Sequence, residues 1–327
     1  MTGVASALKI QDLKTYFYTK AGIVKAVDGV AFSVNRGQIM GLVGESGCGK
    51  SVTGFSILGL VDPPGRVVSG RILFKGEDIV ALPEPQMQRL RGYRIAMIFQ
   101  DPMMTLNPVL RIDTQMIEAI RTHEKVSRKQ AWRRSRDTLG RIGIPSAEER
   151  LRAYPHQFSG GMRQRVSIAI AMLNKPDLII ADEPTTALDV TIQGQILYEI
   201  QKLCRETSTA LIWITHDLAV IAGLADHVCV MYAGRIVESG KVGAVIDEPL
   251  HPYTKGLIGS VPSQSRRGEQ LTQIPGMTPS PLNLPEGCPF RPRCPRTDRA
   301  CMTAPENTSP MPGRQVSCFH PHVRGAS

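Results

Sequence analysis

Ile39-Met40-Gly41-Leu42-Val43-Gly44-Glu45-Ser46-Gly47-Cys48-Gly49-Lys50-Ser51 decides the fold of this 327-residue chain. An apolar run ends at a glycine, as a buried strand feeding a loop does. Gly44 to Ser51 fits G-x-x-x-x-G-K-[ST], and residues 51–60 read as a helix. In that setting the glycines let backbone N–H groups turn inward around phosphates. The helix N-terminus adds partial positive charge. Lys50 is placed to reach the β- and γ-phosphates and Ser51 to ligate Mg²⁺. A mere glycine-rich turn would not require Lys-Ser at this spacing.

Working outward, residues 8–43 read as short strands separated by turns, and 71–100 alternate again, closing at Ile95-Ala96-Met97-Ile98-Phe99-Gln100. From about 110 to 175 the period is helical. Leu178-Ile179-Ile180-Ala181-Asp182-Glu183 is a buried strand with acids at its carboxyl end. A helix over about 191–206, the apolar strand Ala210 to Thr215 and a helix from about 218 follow. Strands alternating with helices predict a mostly parallel α/β sheet with ligands at the carboxyl ends of its strands. No internal repeat is evident. Composition shifts near 250: the chain becomes proline-rich and weakly periodic, and such a tail needs a covalent or metal staple to hold a shape.

Bulk composition narrows the class. Hydrophobic residues at 42% and charged residues at 21% fit an ordinary soluble globular protein. No run approaches ~20 uninterrupted apolar residues, so no membrane span is expected. The first residues lack the layout of a signal peptide, which makes the cytosol the expected compartment and disulfides unexpected. The net charge is +10, for which nucleic acid, an anionic membrane face or bound phosphates could account. The densest basic run, Arg121 to Arg141, is first a solvated helix face and only second a membrane or nucleic-acid patch.

A second glycine-rich turn, Ser159-Gly160-Gly161, lies far downstream within Phe158-Ser159-Gly160-Gly161-Met162-Arg163-Gln164-Arg165. After it come the acidic strand end Asp182-Glu183, the segment Ala187-Leu188-Asp189, and Thr215-His216-Asp217. Taken alone, the paired acids could cap a helix, and a lone histidine is usually a core or surface residue. In this order they resemble the motifs of ATP-binding-cassette (ABC) ATPases, an α/β P-loop fold with a mixed sheet core and a helical subdomain. The resemblance implies that Asp182 supports Mg²⁺, that Glu183 is the general base, and that His216 contacts the γ-phosphate. It implies that Gln100 meets Mg²⁺ or the attacking water, and that Ser159, Gly160 and Gly161 cap the γ-phosphate held by a second ATPase subunit. Asp189 would cross to that partner. Met162 departs from the common glutamine at its position, although its backbone N–H remains. The family also stacks a first-strand aromatic on adenine; Phe17 is the expected residue, with Tyr16 and Tyr18 as alternatives and a packed strand aromatic as the bland reading.

Longer stretches narrow the resemblance: Asp101-Pro102-Met103-Met104-Thr105-Leu106-Asn107-Pro108, Tyr154-Pro155-His156-Gln157, Asp182-Glu183-Pro184-Thr185-Thr186-Ala187-Leu188-Asp189-Val190-Thr191 and His251-Pro252-Tyr253-Thr254. Together they resemble the ATPase subunits of bacterial dipeptide/oligopeptide importers, the D-type subunit in particular, over essentially the whole chain. The implied division is an ABC domain over 1–250, with a helical subdomain at about 102–172, and a small irregular cysteine-rich extension over 251–327. The implied partners are a paralogous ATPase subunit, two membrane permeases that dock near 101–120, and an extracytoplasmic binding protein, with this chain peripheral on the cytoplasmic face. No nucleic acid is expected. Relatives also move nickel chelates, opines and some sugars. A soluble ABC ATPase acting on nucleic acid or ribosomes is the rival; it commonly carries two cassettes or a long coiled coil, whereas this chain has one P-loop and no sustained heptads. A metal-stapled module with a vestigial ATPase is disfavoured by intact Lys50, Asp182, Glu183 and His216.

Of seven cysteines, Cys288, Cys294, Cys301 and Cys318 cluster in the tail. Their spacing is looser than the usual zinc pairs, and four thiolates from a coreless loop suit a [4Fe–4S] cluster. The pattern also resembles the cysteine motif of the importer group, some members of which carry such a cluster, and Arg291, Arg293, Arg296 and Arg299 would offset its charge. Zinc, with His320 or His322 as spare ligands, and free thiols are the alternatives. Cys48, Cys204 and Cys229 read as ordinary core or P-loop residues.

Overall fold

The computed structural model describes residues 6–185, 190–260 and 273–322, with only the backbone of 190–192. In chain order the elements are β1 (Ser6–Thr19), β2 (Gly22–Asn35), β3 (Ile39–Val43), α1 (Lys50–Leu58), β4 (Gly65–Phe74), β5 (Glu77–Asp78), α2 (Glu84–Leu90) and β6 (Ile95–Ile98). Next come α3 (Ile112–Arg121), α4 (Arg128–Arg141), α5 (Ala147–Leu151), α6 (Gly160–Met172), β7 (Leu178–Asp182) and α7 (Val190–Thr207). The chain continues with β8 (Ala210–Thr215), α8 (Leu218–Leu224), β9 (His227–Tyr232), β10 (Arg235–Lys241), α9 (Val242–Asp247) and α10 (Pro252–Gly259), and closes with β11 (Thr308–Met311) and β12 (Arg314–Val316). Among the described residues no helix is long and apolar enough to cross a membrane.

Two compact units interleave along the chain. The first gathers Ala81–Ile212 with short pieces of the N-terminal region; the second gathers Leu8–Val34, Ile39–Val80 and Trp213–Ser327.

In the first unit β6 and β7 pair in parallel, Ile95 with Leu178 through Ile98 with Ala181. Both are wholly buried, which is why they read as unbroken apolar runs rather than alternating ones. Helix α4 is mostly polar, but Ala131, Ser135 and Leu139 recur every fourth residue and are its buried positions. A capping box, Ser127 with Gln130, starts it. Arg134 turns inward, donating to the Leu173 carbonyl at 2.8 Å and pairing with Glu124 at 2.8 Å. The basic run therefore includes a packed helix face, and its other side meets solvent.

In the second unit β2, β1, β4 and β5 form a four-stranded sheet, with β1 antiparallel to β4. The sequence reading of short strands here is corrected by β1 and β2, each 14 residues long. The turn-like residues responsible are irregularities inside the strands: Asp12 has φ 46, Gly29 has φ 84, and the β1–β4 register slips between Gln11 and Lys14. A bulge breaks the two-residue alternation without ending the strand. Around the phosphate loop, β3 pairs in parallel with β9, and β9, β10, β12 and β11 continue antiparallel.

The tail is more structured than its weak periodicity suggests. Helix α10, two 3₁₀ turns (Arg291–Arg293 and Ala300–Met302) and the β11–β12 hairpin lie in it. Tyr253 and Phe290 are buried against Tyr232, with ring centroids 4.6–5.4 Å apart in tilted and edge-on arrangements. Each such ring contributes on the order of 2–3 kcal/mol through burial, so the extension has an apolar core in addition to its cysteines.

Candidate functional site

Strand β3 delivers the chain into the Gly44–Ser51 loop of the second unit. Gly49 has φ 103, and a Cβ there would lie 2.1 Å from the Ala26 carbonyl oxygen. A Cβ on Gly44 would lie 2.2 Å from the Met231 carbonyl oxygen. The loop is thus pressed against the backbones of β2 and β9, where only glycine fits. Gly49 is also the N-cap of α1 and offers no capping side chain, as suits a helix start that receives an anion. Lys50, buried, donates from Nζ to the carbonyls of Gly44 at 2.8 Å and Glu45 at 3.0 Å. Its ammonium is thereby held over the loop it serves. Ser46 and Gly47 are exposed, and Ser51 is half-buried in the first helical turn. Burial pushes the Cys48 thiol up, consistent with an inert loop residue.

The three aromatics of β1 differ in what they touch. Tyr16 donates its hydroxyl to Asp28 at 2.6 Å, and Asp28 pairs with Arg235 at 2.7 Å. Phe17 is half-buried with its ring over Gly65, where an added Cβ would lie 2.5 Å from Phe17 Cε1. Tyr18 is exposed under the Arg66 guanidinium, 4.6 Å from the ring centroid. His216, exposed, follows β8. It is placed by a turn in which Asp217 N–H donates to Thr215 Oγ1 and Asp217 caps α8.

The first unit carries the acids, the glutamine and the second glycine turn. Because Ile98 pairs with Ala181, Gln100 and Glu183 each lie two residues past paired positions, at the carboxyl ends of adjacent parallel strands. Asp182 is buried, and Glu183 is half-buried with φ 44, a left-handed conformation that side chains disfavour. Ser159 caps α6, its Oγ accepting from Met162 N–H at 3.3 Å. Ser159 and Gly160 are exposed and Gly161 is half-buried. A short side chain at the cap followed by two glycines leaves the helix start open to an incoming anion. Asp189 lies outside the described residues.

The structure gives three residues of the extension, Tyr253, Thr278 and Arg293, contacts with the phosphate loop that the sequence reading did not assign. Glu45 N–H donates to the Tyr253 hydroxyl at 2.9 Å. Its carboxylate takes two bonds from Arg293, Nη1 to Oε2 at 2.7 Å and Nη2 to Oε1 at 3.0 Å, and a third from Thr278 Oγ1 at 2.8 Å. These bonds, Arg293 foremost, hold the Glu45 carboxyl below the usual range. The quoted His-Pro-Tyr carried the available signal. His251 caps α10, with Nδ1 accepting from Tyr253 N–H at 3.0 Å, Pro252 occupies the first turn, and Tyr253 thereby reaches the loop. Beneath it, Glu238 accepts from Leu250 and His251 N–H and pairs with Arg314, with both ionic side chains buried.

The four tail cysteines lie in the second unit and form no disulfide; Cys288 and Cys301 are buried and Cys294 and Cys318 half-buried. Cys288 N–H donates to the Cys301 carbonyl at 3.0 Å, and His320 N–H donates to Cys318 Sγ at 3.3 Å. Burial pushes Cys288 and Cys294 up, and Cys318 to about 11; backbone N–H groups directed at the sulfurs work in the opposite direction. Desolvated sulfurs with amide donors fit a site that supplies positive charge of its own. Ligand atoms of Asp298, Cys301 and His320 lie within 4.8 Å of one another, whereas His322 Nδ1 contacts Arg296 at 3.0 Å.

Burial, and then His322 beside it, lower His251 to about 3. An unfolded histidine titrates near 6.5, so the unfolded chain takes up this proton first as pH falls. The stability due to neutral His251 is therefore complete above about 6.5 and is lost as pH falls towards 3, at about 1.4 kcal/mol per pH unit. Between pH 6.5 and 5, His251→Asn will flatten the slope of unfolding free energy against pH by about one proton. Equal slopes in variant and wild type would refute this assignment.

Three comparisons with known proteins bear on this geometry. The ABC transporter family profile matches residues 27–186, and that of the oligopeptide/dipeptide transporter C-terminal region matches 237–301. The chain is 48% identical to the oligopeptide transport ATP-binding protein OppD of Escherichia coli K12, over 96% of this chain and 93% of that one. It is 49% identical to the dipeptide transport ATP-binding protein DppD of Bacillus subtilis 168, over 95% and 94%. Among solved structures it resembles CbiO1 of Clostridium perfringens, part of the ABC transporter complex CbiONQ, with a TM-score of 0.63, 26% identity, and 75% and 92% of the two chains covered. The dimeric bacterial ABC transporter cassette MJ0796 shares the fold at a TM-score of 0.66 and 24% identity, over 72% of this chain and 98% of that one.

Proposed function

This chain belongs to the ABC transporter family of ATPases, and from that premise we propose that it hydrolyses ATP to drive import of dipeptides or oligopeptides across the cytoplasmic membrane. The observation that carries the cargo class is near-half identity, along almost the whole chain, to proteins named for oligopeptide and dipeptide transport. The profile of the oligopeptide/dipeptide transporter C-terminal region, matched over 237–301, supports the same class. The working division is an ABC domain over 1–250, with its helical part at about 102–172, and an extension over 251–327.

In this reading the loop from Gly44 to Ser51 wraps the phosphates with its N–H groups, and Lys50 neutralises their charge. Phe17 stacks on adenine. Glu183 takes the proton of the attacking water, with Gln100 and His216 orienting water and γ-phosphate. Ser51, Gln100 and Asp182 would hold Mg²⁺, which when bound spreads positive charge over the β- and γ-oxygens. Ser159, Gly160, Gly161 and Asp189 serve the nucleotide of a paralogous ATPase subunit, so ATP joins the pair and hydrolysis releases it. Two permeases, docked near 101–120, and an extracytoplasmic binding protein complete the machine, with this chain on the cytoplasmic face.

Cys288, Cys294, Cys301 and Cys318 would hold a [4Fe–4S] cluster, whose contribution is a covalent staple for the extension. The burial of Cys288 and Cys301 and the backbone N–H donors at Cys288, Cys294 and Cys318 support this choice. Protein purified without oxygen will contain iron and sulfide in equal amounts and absorb visible light; stoichiometric zinc without sulfide would replace the cluster by a zinc site that uses His320.

The function is tested by assembling the chain with its permeases in vesicles that carry the binding protein outside. Hydrolysis will rise with peptide, and labelled peptide will enter. Stimulation by a nickel chelate, opine or sugar but not by peptide would overturn the cargo class. Salt-sensitive nucleic-acid binding without permease association would overturn the importer reading.

A further inference from the structure

Arg293 is 5% exposed although it lies in a 3₁₀ turn of a proline-rich tail. Its Nε donates to the Pro275 carbonyl at 2.9 Å, its Nη atoms take Glu45 in bidentate fashion, and its guanidinium lies over the rings of Tyr232 and Phe290 at 5.8 and 5.9 Å. A planar cation fixed on three sides holds one geometry, which lysine would not reproduce fully. Glu45 is the second residue of the phosphate loop, 248 residues away in sequence. Its backbone is engaged at both ends, the N–H by the Tyr253 hydroxyl and the carbonyl by Lys50 Nζ. From extension to ammonium the path is continuous: Arg293, Glu45, Lys50.

We propose that Arg293 is a positioning residue for nucleotide binding: with Tyr253 it clamps Glu45, and so fixes the loop segment whose carbonyls hold Lys50 ready for the phosphates. This deepens the ATPase reading and rests on it. A loop held in its binding shape before ATP arrives loses less conformational freedom on binding. The clamp therefore acts on affinity and leaves the chemical step to Glu183. Because Arg293 falls between Cys288 and Cys294, folding of the cysteine segment and readiness of the phosphate loop become one event.

The test uses the full-length chain with a fluorescent ATP analogue, alongside hydrolysis in the assembled transporter. Arg293→Met will weaken analogue binding and raise KM for ATP about tenfold, while kcat stays within about twofold. Arg293→Lys will restore part of the loss. Glu45→Gln, a change at a half-exposed carboxylate that the fold tolerates more readily, will weaken binding similarly. The double variant will be no worse than either single one, because both remove the same pair. Iron and sulfide content measured on each variant separates the clamp from loss of the cysteine site. Unchanged binding in both single variants, or losses that multiply in the double one, would overturn the proposal. Failure of the wild-type chain to bind the analogue would instead overturn the ATPase reading on which the clamp rests.

Discussion

Glu183→Gln will bind ATP as tightly as the wild type and hydrolyse it at least ~10² to 10³ times more slowly, the range expected when a general base is removed. The side chains match in size, so nucleotide packing survives, but an amide cannot take the proton of the attacking water. The structure gives Glu183 a special place. It is the first residue after a wholly buried strand, next to buried Asp182, and at φ 44 it occupies a backbone region that costs a side-chain-bearing residue on the order of 1 kcal/mol. Strain at the end of a buried acidic strand is persistent where the position of one carboxylate matters. With hydrolysis blocked, ATP will also hold the proposed ATPase pair closed, so the variant mixed with its paralogous subunit will co-elute with it on gel filtration with ATP and separate without it. Phosphate release within about threefold of wild type would remove Glu183 from the role of base.

The parts of this site that sequence revealed are those written in local patterns. The phosphate loop is legible because glycine spacing, the preceding apolar strand and Lys50-Ser51 all reflect one stretch of backbone, and the 2.1 Å approach at Gly49 shows why no other residue serves. Asp182 and Glu183 are legible because a strand buried on both faces has no polar residue until its end. The Glu45–Arg293 clamp had no such signal. Its partners are 248 residues apart, and an ion pair leaves no periodicity in either segment. For the same reason Tyr253 and Phe290 did not show as a core: a cluster assembled from single aromatics on short turns lacks the repeats that mark a helix or strand face. The 14-residue strands β1 and β2 were obscured differently, by turn-like residues that make bulges rather than ends.

Arg314→Met will lower the unfolding free energy of the second unit by about 3–5 kcal/mol, the penalty for stranding one member of a buried ion pair. Glu238 is wholly buried and Arg314 is 4% exposed. Arg314 does more than balance the carboxylate: it donates to the carbonyls of Ala244 at 2.6 Å and Glu248 at 2.9 Å, closing the end of α9. Glu238 in turn accepts the Leu250 and His251 N–H groups that open α10. Removing the guanidinium leaves a charge with no water to replace it, just where the chain turns towards Tyr253 and the phosphate loop. Adding Glu238→Gln to Arg314→Met will recover part of the loss, since a neutral amide costs less to bury and its one carbonyl oxygen can still accept from one of the two N–H groups. Denaturant unfolding of the two variants measures the difference. If the double variant is less stable than Arg314→Met alone, then stranded charge is not the cause, and the loss lies in the carbonyl contacts of Arg314.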